Sequence, residues 1–152
     1  ALVAATGSLD LLRPMYREIL VPLEVSEEII ALRSIQFVQP EFSRATWLAC
    51  MREPIQPHAW LANALDRGEA AVIQLALDRN ISTVCIDEAA GRRVAQLCGL
   101  KLAGSIAILL RHKKMTPDFS LRLAIERMTA HGVWLGPSLV RSALRLAGEE
   151  SL

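Results

Sequence analysis

Three carboxylates in this chain stand where carboxylates can do chemistry. Asp87 closes the short apolar run Thr83-Val84-Cys85-Ile86, Glu69 opens an apolar stretch reaching Leu77, and Glu28 lies on a segment that begins at Pro22. In a parallel sheet covered by helices, ligands bind outside the carboxyl ends of the strands, so a strand-end acid is better placed than one elsewhere on the surface. Converging carboxylates repel one another unless a cation neutralises them, and an all-oxygen set suits Mg²⁺ or Mn²⁺. With such ions an acidic pocket can activate water and stabilise an in-line displacement at phosphorus. Each acid also has a plainer use. Asp87 is a natural N-cap for a following helix, Asp66-x-x-Glu69 resembles a capping box, and a helical glutamate such as Glu28 is often simply solvated.

The rest of the chain offers no rival set. It has neither a P-loop nor a G-x-G-x-x-G turn, and His58, His112 and His131 lie in turns or beside basic residues, where they read as surface groups. Ser105, after Gly104 at the start of a helix, fits either a phosphate contact or an ordinary N-cap.

The elements that must position the acids follow from periodicity. Ile19-Leu20-Val21, Thr46 to Met51, Thr83 to Ile86 and Leu100 to Ala103 read as strands, because buried parallel strands are short continuous apolar runs. Pro22 is suited to start a helix with Glu24 in its first turn, and Val25, Ile29 and Leu32 share one face. Residues advance by about 100° along a helix, which puts Glu28 at the border of that face and Glu27 toward solvent. Residues 34–45 have little periodicity and read as a loop, followed later by a short helix around Trp60 to Leu65.

The stretch from Glu69 to Leu77 is apolar nearly all round, which implies a helix buried on several sides, with Glu69 on the face of Ile73 and Ala76. A carboxylate on such a face needs a partner. Arg79-Asn80 reads as a turn. Glu88 to Cys98 forms a helix ended by Gly99, and Ile106 to Leu110 another before the basic run Arg111-His112-Lys113-Lys114. Thr116-Pro117-Asp118 starts an amphipathic helix with Phe119, Leu123, Ile125 and Met128 inward. Val133-Trp134-Leu135 is a last apolar segment, and Ser138 caps a final helix from Leu139 to Ala147. Strands alternating with helices argue an α/β fold around a parallel sheet.

Composition closes off other classes. The chain has 152 residues, is 52% hydrophobic and 22% charged, and carries a net charge of +1; its mean hydropathy is +0.30. That suits one globular domain, excludes a disordered tail, and lacks the strong global basicity of many nucleic-acid binders. No apolar run reaches the roughly 18 residues of a membrane span, and no signal segment opens the chain. Cys50, Cys85 and Cys98 are odd in number, lack metal-type spacing and sit in apolar patterns, so they read as buried thiols in a reducing cytoplasm.

The order of these features resembles a known family. The pattern D-x-G-E-A-x-x-I-x-L-A over Asp66 to Ala76, then a strand ending in Asp87-Glu88, then x-x-x-R-x-x-A-x-x-x-G-L up to Leu100, is similar to the PIN domains, in particular the prokaryotic branch near the VapC-type toxin nucleases. Gly104-Ser105-Ile106-Ala107-Ile108-Leu109, the ending Leu144 to Glu149, and the front portion Leu9-Asp10-Leu11-Leu12 with Val21-Pro22 and Val25 to Ile29 extend the likeness over nearly the whole chain. The resemblance implies a PIN-like three-layer α/β/α sandwich with a central parallel sheet, as a single domain over residues 1–152. It implies a Mg²⁺- or Mn²⁺-dependent ribonuclease, the toxin of a toxin-antitoxin pair. Glu28, Glu69 and Asp87 would then be catalytic and metal-holding, Asp66 and Glu88 their supporting neighbours, and Arg92, Arg93 and Lys113 contacts to RNA phosphates. RNA, a cognate antitoxin and a second copy of the chain are the partners implied, in the cytoplasm and without a membrane. The family's first strand, which ends in an Asp, has no counterpart in this sequence. Its place is expected just upstream of Ala1, unless this is a degenerate PIN-fold protein that binds nucleic acid or a protein without cleavage.

Overall fold

The structure, a computed structural model, describes residues 1–31 and 38–149. Helix α1 (Leu2–Thr6) and a 3₁₀ turn (Asp10–Leu12) lead to strand β1 (Leu20–Val21) and helix α2 (Leu23–Ala31). Helix α3 (Val38–Arg44), strand β2 (Ala49–Cys50) and helices α4 (Ala59–Ala64) and α5 (Arg67–Asp78) follow. The second half alternates strand β3 (Thr83–Cys85), helix α6 (Ala89–Leu97), strand β4 (Lys101–Ala103) and helix α7 (Ser105–Met115), then ends on α8 (Leu121–Ala130) and α9 (Pro137–Leu146).

The strands are short and all pair in parallel: β1 with β2, Leu20 opposite Ala49, and β3 with β4, Val84 opposite Leu102. Successive side chains on a strand point to opposite faces, and β4 uses both. Leu102 packs with Val84 and Ile86 in a core that α4, α5 and α6 supply with Leu61, Ala70, Ile73, Ala76 and Ala95. Ala103 faces a second core, built by α1, the 3₁₀ turn, α7, α8 and α9 from Ala5, Leu11, Met15, Leu109, Leu121, Met128 and Ala143. A third, smaller cluster of Val21, Ala45 and Leu48 shares Leu9, Ile19 and Trp47 with the second. Helices thus cover the parallel strands on both sides, the expected three-layer α/β/α sandwich, although among the described residues the strands form two separate two-stranded sheets rather than one central sheet.

Helix α5 is the buried centre of this arrangement. Asp66 caps it, its side chain accepting from the Glu69 N–H at 2.8 Å, and Gly68, Ala70, Ala71, Ile73, Gln74, Leu75 and Ala76 are all buried. It ends at the expected turn, where Asn80 takes a φ of 53°, a left-handed conformation that Asn tolerates better than most residues.

Several expectations are corrected. Residues 38–44 form α3 rather than loop, with Pro40 in the first turn, where its missing N–H costs nothing. Leu32 and residues 34–37 of the expected loop lie outside the described residues. The strand expected from Thr46 to Met51 shrinks to Ala49–Cys50, because Ala45 and Leu48 turn into the small third core and that packing outweighs β propensity. Helix α7 runs on through the basic residues, whose positive charge is favourable in a last helical turn. On α8 the buried residues are Leu121, Ala124, Ile125 and Met128, whereas Leu123 is 53% exposed. The cap of that helix is Ser120, and the cap of α9 is Gly136 rather than Ser138. Val133 to Leu135 belong to no helix or strand. Cys50 and Cys85 are exposed and Cys98 half-buried, all three as free thiols; on β3 the pleat that turns Val84 inward turns Cys85 outward.

The chain end is latched. Glu149 accepts from the N–H groups of Leu121 at 2.9 Å and Arg122 at 2.7 Å and from Ser120 Oγ at 3.2 Å, and it pairs with Lys113 at 3.1 Å. Among the described residues, no helix is long and apolar enough to cross a membrane.

Candidate metal centre

The acids collect at the N-termini of α5 and α6 and in the turn that follows β3. Asp66 and Glu69 come from the start of α5 and Glu88 from the start of α6, and each offers a carboxylate oxygen within 4.8 Å of the other two. Glu28 reaches the same region from α2. The first turn of α5 lies against it, and Arg67 of that turn pairs with Glu27 at 2.9 Å. Both ends of that pair are well exposed, so it steers more than it stabilises.

Three acids repeat one arrangement. Glu28 faces the N–H of Gly68 in the first turn of α5, Glu69 faces the N–H of Gly91 in the first turn of α6, and Asp87 Oδ1 accepts from the Ser105 N–H at 2.8 Å, at the first residue of α7. The positive end of a helix dipole favours a carboxylate there. Asp87 is held twice, since Ser105 Oγ also donates to its Oδ2. Ser105 itself is buried. The Gly91 N–H favours the charged form of Glu69 but closes no hydrogen bond to Oε1, a buried oxygen without a hydrogen-bond partner among the described residues.

The electrostatics follow from crowding. Burial, then the charges of Asp66, Glu88 and Glu28, push the Glu69 carboxyl up to about 7 against the pull of Gly91. Much of Glu28 faces solvent, but its carboxyl end is tucked against Gly68. That partial burial, then Asp66, raise its pKa above the ordinary carboxylate range, opposed by the Gly68 N–H and Arg67. For Glu69, a proton or a cation relieves this crowding near neutrality.

A divalent ion fits these residues. The donor set of Asp66, Glu69 and Glu88 is all oxygen, which matches Mg²⁺ or Mn²⁺ rather than a softer metal. Without a hydrogen-bond partner among the described residues, Oε1 of Glu69 is a buried acceptor, which costs free energy until something positive meets it.

Of the residues singled out by sequence, Asp66, Glu69 and Glu88 form the tightest group, Glu28 stands beside it, and Asp87 is directed toward Ser105. Arg92 donates to the Ile86 carbonyl at 3.1 Å. Arg93 is exposed on α6. Lys113 sits in the latch, donating to the carbonyls of Pro117 at 2.8 Å and Phe119 at 2.7 Å and pairing with Glu149.

Sequence reasoning gave two side chains a role other than the one they have. Glu24, 2% exposed, accepts from the Ile55 N–H at 2.8 Å through Oε1 and leaves Oε2 without a hydrogen-bond partner among the described residues. Its signal was present, because Glu24 and Glu28 are four residues apart and so share a helix face. Ser105 was seen as a phosphate contact or a helix cap; its actual partner, Asp87, is 18 residues away.

No curated protein matches the chain significantly, and no solved structure does. A family model described as a PIN domain matches residues 1–149, and PIN domains are in general nucleases. With helices on both sides of parallel strands and acids gathered at the N-termini of α5 and α6, that match over nearly the full length makes this chain a member of the PIN-domain family.

Proposed function

We propose that this PIN domain is a Mg²⁺- or Mn²⁺-dependent ribonuclease acting as the toxin of a toxin-antitoxin pair. The observation that carries the metal-dependent reading is the group of Asp66, Glu69 and Glu88, with a buried oxygen of Glu69 that no hydrogen bond satisfies among the described residues. Glu28 and Asp87, seated on neighbouring helix N-termini, complete the acidic lining. Bound there, the ion supplies the positive charge that offsets a phosphodiester and the acidity that makes water a competent nucleophile. The chain's own residues do the rest: Asp66, Glu69 and Glu88 would hold the cation, and Ser105 fixes Asp87.

The RNA substrate and the toxin role rest on the likeness of the Asp66 to Leu100 pattern to the VapC-type branch. The antitoxin and the second copy as partners rest on that same likeness. A second reading is favoured by one specific observation. Glu28, Glu69 and Asp87 each face a helix N-terminus, so the acids could be helix caps in a protein that binds RNA without cleaving it.

Incubation of the purified protein with labelled single-stranded RNA, in Mn²⁺ or in EDTA, separates the two readings. The nuclease reading expects cleavage in Mn²⁺ alone, and a loss of about a hundredfold or more in Glu69→Gln, the scale on which enzymes lose rate when a key electrostatic group is removed. Cleavage that persists in Glu69→Gln or in EDTA overturns it. Retained RNA without cleavage selects the second reading.

A further inference from the structure

Four glycines in this fold, Gly68, Gly91, Gly104 and Gly136, are not where backbone freedom demands them, and three of these crowd a charged side chain. The left-handed glycines are Gly7, Gly99, Gly132 and Gly148, whereas Gly68 and Gly91 have no positive φ and Gly104 has a φ of −94°. What distinguishes these three is their neighbour. A Cβ at Gly68 would stand 2.6 Å from Glu28 Oε2, 2.7 Å from Oε1 and 2.9 Å from Cδ. At Gly91 a Cβ would collide with Glu69 Oε1, 2.7 Å from its Cδ, and stand 2.9 Å from Ile86 Cγ2. At Gly104 it would come within 2.9 Å of Arg92 Nη1 and 3.3 Å of Asp87 Oδ1. Glycine within a helix is ordinarily a disadvantage relative to alanine, and two of these, Gly68 and Gly91, lie in the first turns of helices. The space above each is filled by a carboxylate.

We propose that Gly68 and Gly91 are positioning residues for the acidic site, each leaving open the volume in which one carboxylate, Glu28 or Glu69, must sit to face the site. The inference rests on the metal-dependent reading above. Its physical content is steric. Above Gly68 the three atoms nearest the missing Cβ all belong to the free end of Glu28, an exposed and flexible side chain. An alanine there leaves the fold room to survive, because Glu28 can swing into solvent, but it moves the carboxylate off its seat. At Gly91 the same displacement acts on Glu69, a member of the tight acidic group, with added crowding from Ile86 in the core. Residues that orient metal-holding groups without touching the ion commonly carry a tenfold or larger share of the affinity.

The test measures Mn²⁺ binding by calorimetry and thermal unfolding by circular dichroism on the whole chain. It compares wild type, Gly68→Ala and Gly91→Ala with the same two substitutions made together with Glu28→Asp and Glu69→Asp. The proposal expects Gly68→Ala to unfold cooperatively at or above the wild-type temperature while binding Mn²⁺ about tenfold more weakly, and Gly91→Ala to lose at least as much affinity. Shortening the displaced acid by one methylene frees room for the alanine, so each double variant binds Mn²⁺ more tightly than its glycine variant alone. A structural role for the glycine does not produce that recovery. Gly68→Ala binding Mn²⁺ as wild type does, or a further loss in the double variants, overturns the proposal. Should Gly91→Ala fail to fold because of Ile86, the Gly68 pair decides. A wild-type protein that binds no Mn²⁺ is a different outcome: it removes the metal-dependent reading, and this inference with it.

Discussion

At Glu69 a carboxyl pushed up to about 7 by burial and by Asp66, Glu88 and Glu28 exchanges its proton near neutrality, against 4.5 for the free side chain. A group whose folded pKa is raised contributes stability that is complete below its unfolded value and is lost as pH rises through the folded one. Without metal, the thermal midpoint is therefore expected to fall between about pH 5 and pH 8, and Glu69→Gln, which cannot ionise, flattens that decline. Melts across this range in EDTA check it, and parallel slopes for wild type and variant count against the proposed environment of Glu69. At this scale the sequence supplied the candidate acids and was silent about their pairings. Glu28, Glu69 and Asp87 were readable from helix borders and a strand end. Their facing of Gly68, Gly91 and Ser105 was not, because such contacts join residues remote in the chain and depend on how helices stack.

Among the elements, α5 and β3 were the most legible, since their signals are local: an Asp cap, apolar residues on every side of a helix, a short strand ended by an acid. Helix α3 and the shortened β2 were not, because Pro40 disguised one, and packing of Ala45 and Leu48 against Val21 overrode the apolar run of the other. The N-terminus of α8 shows how an element is held by a distant residue. Burial alone would raise the Glu149 pKa, but the Arg122 and Leu121 N–H groups, Lys113 and Ser120 outweigh it and draw it down to about 2 from 4.5. For a depressed carboxylate the stabilisation is present above the unfolded pKa and disappears as pH falls through the folded one. Glu149→Gln is expected to cost about 1–3 kcal/mol at pH 7, the range for charge-assisted hydrogen bonds, with the difference vanishing toward pH 2. Denaturant unfolding of both proteins at pH 7 and pH 2.5 measures it, and an equal gap at the two pH values excludes an ionic latch.

Across the whole molecule, the acids come from α2, α5 and the start of α6, so an ion held among them binds only the assembled fold. It therefore stabilises by mass action, by roughly 2.7 kcal/mol at a hundred times its Kd. For a domain of this size that corresponds to a rise of roughly 5–10 °C in the thermal midpoint. Titrating Mn²⁺ into a thermal melt reads it, and a rise of the same size in Glu69→Gln would locate the ion elsewhere. The sequence by itself determined the α/β class, the alternation of strand and helix, the family likeness and the list of acids, because periodicity, caps and strand-end residues act within a few positions of one another. Only the tertiary structure decided that Asp66, Glu69 and Glu88 converge, that Glu24 is buried, that Asp87 is held by Ser105, and that glycines make room for two of the carboxylates. Those facts are distances between segments, and a distance between segments is set by the packing of cores that no single stretch of chain encodes.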